Sequence, residues 1–215
     1  LVRQRTELVN ALRASLYEYG HAVPQGIHQI KRIEEILDAP NCDLPDLMRE
    51  ECRDLLEQIA EQTVRINART EKIKILAAEA DTARRLQTIP GVGPLTALAV
   101  EAFAPPMESF SCGRDFAAWL GLVPRQFSSG GKERLGRTSK AGQADIRRLL
   151  IIGAMSRLSW LGRRTIPVDS WLARIAARKP RMLVAIALAN KMARTIWALI
   201  AKNEDYRVPA QVAEA

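Results

Sequence analysis

With 215 residues and 47% apolar side chains, the chain has material for one large or two small domains with a packed core, which excludes a wholly disordered polymer. A formal net charge of +8 and a pI near 9.8 favour a polyanionic partner. The longest apolar run near the C-terminus, Met182 to Ala189, falls short of the roughly 20 residues that span a bilayer, so no membrane segment is expected.

Cys42, Cys52 and Cys112 show no CxxC spacing, and the two histidines, His21 and His28, lie far from Cys112 in sequence. That pattern predicts neither a zinc site nor a disulfide framework, so no metal ligand is expected here, and reduced thiols fit a cytoplasmic protein. The charge is uneven along the chain. Residues 1–80 carry 11 basic and 14 acidic side chains, whereas residues 84–164 carry 13 basic and 5 acidic ones. The positive field therefore belongs to the middle of the chain.

Leu1, Leu8, Leu12, Leu16, Tyr19 and Val23 recur at helical spacing, and Ile27, Ile30, Ile33 and Leu37 continue the pattern. After a turn with Pro45 at a helix start, Cys52, Leu55, Ile59, Ile66, Ile73 and Leu76 lie on a near-heptad seam, interrupted by Gln62 and Arg69. Residues 1–80 thus read as a long helical hairpin or coiled-coil arm. Mixed charge and the lack of a catalytic constellation make it a spacer or oligomerisation element, with a homodimer or homotetramer expected.

Residues 82–103 read as two helices joined by Pro90-Gly91-Val92-Gly93-Pro94, a helix-hairpin-helix pattern. Glycines there let backbone N–H groups of Gly91, Val92 and Gly93 hold a phosphate at a helix N-terminus. A tight turn between packed helices is the less favoured alternative. No Gly-Lys-Ser/Thr follows, which excludes a Walker-type loop.

A short helix through Phe116, Trp119 and Leu120 delivers the chain into residues 121–142, where Ser128 and Ser129 precede Gly130 and Gly131 amid Arg125, Lys132, Arg134, Arg137 and Lys140. Such a loop can grip phosphate, or a serine in it can react. A serine needs activation to act as a nucleophile, and no histidine lies near enough in sequence to suggest a protease-type triad. Attack on a phosphodiester instead calls for guanidinium, ammonium and backbone N–H groups around the phosphoryl oxygens. Spacing alone favours grip over reaction.

Residues 143–161 form a predicted helix with Ile146, Leu149, Leu150, Gly153, Ala154 and Leu158 inward, and with Arg147, Arg148 and Arg157 available outside. Asp169 or Ser170 starts a short helix through Ala177, and a long core helix runs from Met182 to Ala201. Lys191 and Arg194 on it read as a solvated face. Residues 203–215 read as a flexible tail. The fold class is therefore all-α: an arm over 1–80 and a compact helical domain over 81–202 that contains the helix-hairpin-helix element.

The ordered blocks Ile-Pro-Gly-Val-Gly-Pro-Leu-Thr-Ala, Phe-Ala-Ala-Trp-Leu-Gly-Leu-Val-Pro-Arg, Ser-Ser-Gly-Gly-Lys-Glu-Arg-Leu-Gly-Arg-Thr-Ser-Lys-Ala-Gly and Ile-Arg-Arg-Leu-Leu closely resemble the C-terminal transposase domain of the "IS-one-ten" insertion-sequence family, the bridge-RNA-guided recombinases. The match covers about residues 86–158, and the preceding helices look like that family's coiled-coil segment. The resemblance implies a mobile-element DNA recombinase in which a serine of residues 121–142 attacks DNA and forms a covalent phosphoserine link. Ser129, just before the glycines, is the first choice and Ser128 the close alternative. The DNA or phosphate contacts expected with it are Gly91, Val92, Gly93, Arg125, Gly130, Gly131, Lys132, Arg134, Arg137, Lys140, Arg147 and Arg148.

Family members begin with a RuvC-like domain whose acidic tetrad binds magnesium, and that pattern is not found after Leu1. Magnesium is expected only with such a domain; no cofactor is expected in this segment, and a chain lacking the domain is expected to be incompetent for complete transposition. The implied partners are DNA and a guide RNA, in the bacterial cytoplasm at the nucleoid, with no membrane. The alternative is a non-catalytic helix-hairpin-helix nucleic-acid-binding protein.

Overall fold

A computed structural model describes residues 1–128, 130–132, 134–161 and 170–207, with the side chain of Leu161 excepted. It divides into two compact units, Leu1–Lys72 and Ile73–Ala215.

In the first unit, α1 (Val2–Glu18), a 3₁₀ turn (Ile27–Gln29), α2 (Ile30–Leu37) and the N-terminal part of α3 (Asp46–Glu79) enclose one apolar cluster. Its centre is Leu12, Leu16, Ile33 and Cys52, all fully buried. Arg5 Nη1 donates to Thr63 Oγ1 at 3.2 Å, and His21 Nε2 lies 2.9 Å from Asp43 Oδ1, so α1 runs antiparallel to α3. At 1.5 Å rise per residue, α1 is about 25 Å long and α3 about 51 Å. α1 therefore covers α3 only as far as Thr63. The heptad seam is buried at Cys52 and Ile59, half-buried at Ile66 and Ile73, and exposed at Leu76. Burial, with Glu51 and Cys42 adding to it, pushes the Cys52 thiol above its ordinary range.

The second unit takes in the last turns of α3 and then α4 (Asp81–Leu86), α5 (Pro94–Phe103), a 3₁₀ turn (Met107–Ser109), α6 (Gly113–Trp119), β1 (Pro124–Gln126), β2 (Leu135–Thr138), α7 (Ala144–Leu161), α8 (Trp171–Ala176) and α9 (Arg181–Lys202). α9 is its axis. Ala185, Ala189 and Ala193 recur every four residues and are fully buried, which lets neighbouring helices approach the α9 backbone. Gly113 uses that space: a Cβ there would sit 3.1 Å from the Arg194 carbonyl oxygen. Leu188, Met192, Ile196 and Leu199 fill the core between them. Two side chains bind loops to α9, Asn190 Nδ2 donating to Leu122 O at 3.2 Å and Trp197 Nε1 to Met107 O at 3.2 Å.

By length and composition alone α9 could cross a membrane, a point the uninterrupted run Met182–Ala189 had concealed. Its apolar side instead closes this core.

The helices match the predicted ones closely. Ser170 caps α8, its Oγ accepting from Ala173 N at 3.1 Å, while Asp169 lies outside the described residues. Two features were not foreseen. The segment after α6 is an antiparallel β-hairpin. The chain beyond α9 also folds back, with Arg85 bonded to Asn203 and paired to Asp205 at 3.4 Å, and Tyr206 packed on the core. Residues 203–206 are thus anchored, which corrects the expected loose tail there; residues 208–215 lie outside the described residues.

Candidate nucleic-acid interface

The hairpin pairs Pro124 with Thr138 and Gln126 with Leu135, and the register slips between them, so Gly136 and Arg137 together oppose Arg125. Such a bulge sharpens the local twist and re-aims side chains. Above it, Arg134 closes the tip with both backbone groups: its carbonyl accepts from Phe127 N at 2.8 Å, and its N–H donates to Ser128 Oγ at 3.1 Å. Gly130 and Gly131 turn the chain at φ of 58° and 77°, where side chains are disfavoured, and a Cβ on either would meet nothing. The glycine pair is required by conformation, not by crowding.

The base of the hairpin is crowded. Ser139 N donates to Val123 O at 2.8 Å and Lys140 N to Gly121 O at 3.2 Å. Gly121 and Gly142 both have positive φ, and a Cβ on Gly142 would run into the Trp119 carbonyl oxygen, as one on Gly121 would into that of Ala141. Across this junction Arg147 Nη1 donates to Leu120 O and Ala141 O, each at 2.9 Å. One guanidinium on α7 thereby holds the strand entering the hairpin and the strand leaving it.

The expected phosphate ligands separate into three groups. Arg125, Ser128, Gly130, Gly131, Lys132, Arg134, Arg137 and Lys140 share the hairpin, and all are exposed. Arg147 is half-buried at its base, so its reading as a freely available cation is corrected: one arm of its guanidinium serves the fold. Arg148, beside it, is exposed. Ser129 lies outside the described residues.

Gly91, Val92 and Gly93 form the third group, on the turn between α4 and α5. Gly91 (φ 97°) lies against α7, where a Cβ would come 3.0 Å from Gly153 O, and Val92 is buried. Arg157, also expected to be free, donates from Nη1 to Pro90 O at 3.3 Å. Only Gly93 of the three faces open space. Arg147 and Arg157 are ten residues apart on α7, or about 15 Å, so turn and hairpin base dock at different levels of one helix.

The turn, the hairpin and α7 all fall inside a stretch, residues 83–166, that matches the family model described as "Transposase IS116/IS110/IS902 family". Residues 83–166 are thus similar to that transposase family. Similarity continues into the arm. The chain is 39% identical over 209 residues, 96% of its length, to a Pseudomonas aeruginosa protein named "Probable family 20 transposase", of which it covers 62%. It is 36% identical over 98% of its length to the transposase for insertion sequence element IS1111A of Coxiella burnetii, and 34% identical over 92% to that for IS1328 of Yersinia enterocolitica, covering 58% of each. The chain thus spans about three fifths of the length of these relatives.

Within residues 83–166 and the helices that follow, sequence reasoning also missed a third feature. A groove of about 1450 Å³ runs between the hairpin and α9. Arg114, Arg137, Lys140, Lys191 and Arg194 stand around it, and Leu122, Pro124, Trp171, Met182, Leu183 and Ile186 form its apolar surface. Among the described residues no three His, Cys, Asp or Glu side chains converge to hold a metal ion.

Proposed function

We propose that the chain is the arm and reaction domain of a DNA transposase, and that a serine at the tip of the 121–142 hairpin is its nucleophile. The observation that carries this reading is the hairpin itself: hydroxyl and cations on an exposed tip, turned by two glycines and fixed at its base by Arg147. A tip so built can enter a DNA groove while its stem stays in register.

The reaction is a transesterification. Serine Oγ forms a bond to phosphorus, the bond from phosphorus to a deoxyribose oxygen breaks, the hydroxyl proton passes to solvent, and the departing sugar oxygen takes a proton from solvent to leave as a hydroxyl. The product is a phosphodiester between protein and DNA, so bond energy is conserved and a second sugar hydroxyl can reverse the step onto a new strand. Negative charge on the phosphoryl oxygens is met by Arg134, Lys132, Arg137 and Arg125.

Ser129 is the first choice of nucleophile. Ser128 Oγ already accepts from the Arg134 N–H, which suits it to bracing the tip. Guanidinium and ammonium contacts to phosphate carry no base information, and the resemblance to the bridge-RNA-guided recombinases assigns target choice to a guide RNA. The arm supplies assembly into a dimer or tetramer, because exchange of strands needs more than one nucleophile. The place of action is the cytoplasm, at nucleoid DNA. Magnesium chemistry belongs to a RuvC-like portion outside this chain, and no step above passes through it.

The test uses full-length protein, guide RNA and a DNA duplex with a bridging phosphorothiolate at the cleavage site, whose thiol leaving group does not re-attack. A covalent protein–DNA band on a denaturing gel is expected, and it should vanish in Ser129→Ala and weaken in Ser128→Ala. Persistence of the band in the double variant would sink the serine assignment. A protein that only binds nucleic acid through the hairpin and the α4–α5 turn would give no band, yet would hold DNA in a salt-sensitive manner in all variants.

A further inference from the structure

The groove between the hairpin and α9 has a composition that an intact duplex does not exploit. Every charged side chain among its described lining residues is basic, and none of the five makes an ion pair with a described carboxylate. Yet its surface between those cations is apolar, and parts of it lie open: Met182 is 55% exposed, Leu183 46% and Trp171 36%. Duplex DNA offers phosphates outward and keeps its base faces stacked inside. An unpaired strand offers both at once, phosphates for cations and base faces for apolar and aromatic side chains.

We infer that this groove binds an unpaired DNA strand continuous with the phosphodiester held at the hairpin tip, with Trp171 as a stacking platform for a base. Continuity decides for DNA. Gly136, Arg137 and Thr138 of β2 line the groove, and the same strand leads upward to Leu135 and Arg134 at the tip. A strand lying on β2 thus runs from the groove to the tip, where Arg134 N donates to Ser128 Oγ. Arg114 and Arg194 flank it where the α6 start packs on α9 through Gly113. Lys191 Nζ lies over the Trp171 ring, 4.7 Å from its centroid, so a base that stacks on that face displaces the ammonium, which then stands within reach of the base's own phosphate.

Trp171 opens α8, whose packing into the core is carried by buried Leu172, so the indole is not needed to hold the helix. Strand separation next to a reacting phosphate is costly in isolation, and a platform for the freed base offsets part of that cost. The groove then acts before the chemistry by keeping the strand from re-pairing. This inference rests on the DNA-transposase reading of the hairpin, but it does not depend on which serine reacts.

The experiment measures fluorescence anisotropy of dye-labelled dT12 and of a 12-bp duplex with the 215-residue chain at fixed salt, with circular dichroism to confirm folding of each variant. Trp171→Ala is expected to weaken dT12 binding about 5- to 100-fold, following the usual worth of one base–aromatic stack, with little effect on the duplex. Trp171→Phe should restore most of the affinity. Arg194→Glu should weaken dT12 binding and flatten its salt dependence. Unchanged dT12 affinity in Trp171→Ala, equal losses for strand and duplex, or at least tenfold tighter binding of U12 RNA than of dT12 would each overturn the inference. The two readings separate in a Ser128→Ala, Ser129→Ala protein: intact dT12 binding without a covalent band supports groove and nucleophile together. A wild-type covalent band alongside Trp171-independent dT12 binding removes the groove alone.

Discussion

Gly130 and Gly142 both have positive φ but different surroundings, and this separates conformational need from steric need. At Gly130 an added methyl meets nothing, so Gly130→Ala costs only the left-handed backbone strain, about 1 kcal/mol. At Gly142 the same methyl collides with the Trp119 carbonyl, and the hairpin base must open. Gly142→Ala is expected to lose at least about 3 kcal/mol in urea denaturation, with Gly130→Ala near wild type. The glycines themselves were legible in the sequence; their separate reasons were not, because a string of residues does not record which carbonyl lies opposite. The same holds for charge. Arg147, Arg148 and Arg157 look alike in a basic helix, yet two of them donate to carbonyls and one stands in solvent.

Element by element, the helices were readable because their apolar spacing is the cause of their burial. α7 and α9 begin and end within a few residues of their predicted limits. The β-hairpin was hidden for the converse reason. β1 is exposed at all three positions and β2 is at most half-buried, so neither strand writes an apolar alternation. What holds it is backbone pairing and Arg147. Arg147→Ala removes two bonds from a charged donor, and it is expected to slow covalent-band formation at least tenfold while leaving the slope of log affinity against log salt unchanged. Loss of a phosphate contact, as in Arg134→Ala, should instead reduce that slope by about one. A flattened slope in Arg147→Ala would return this residue to the DNA-contact class.

Across the molecule, two apolar clusters accompany two compact units, so damage is expected to stay local. Ile59 is 3% exposed in the first cluster. Ile59→Ala is expected to cost about 2–4 kcal/mol there, and hydrogen exchange should show lost protection along α1 while α9 keeps its own. Joint loss in α1 and α9 would show that the units fold as one. This scale was the least legible in sequence for function: Arg114, Arg137, Trp171 and Lys191 are spread over nearly eighty positions, and only the packing of α6 and the hairpin on α9 lines them along one groove.

The stem of the hairpin carries a consequence for tailoring this protein. Its fastening is made of carbonyls, glycines and one arginine on another element, and Arg134 enters it through its backbone alone, so the side chains of Lys132 and Arg134 are not part of it. The tip is a cassette on a fixed mount. A library that randomises Lys132 and Arg134 while leaving Gly121, Gly142 and Arg147 alone should be rich in folded members, and it offers a direct route to variants with altered grip on their substrate.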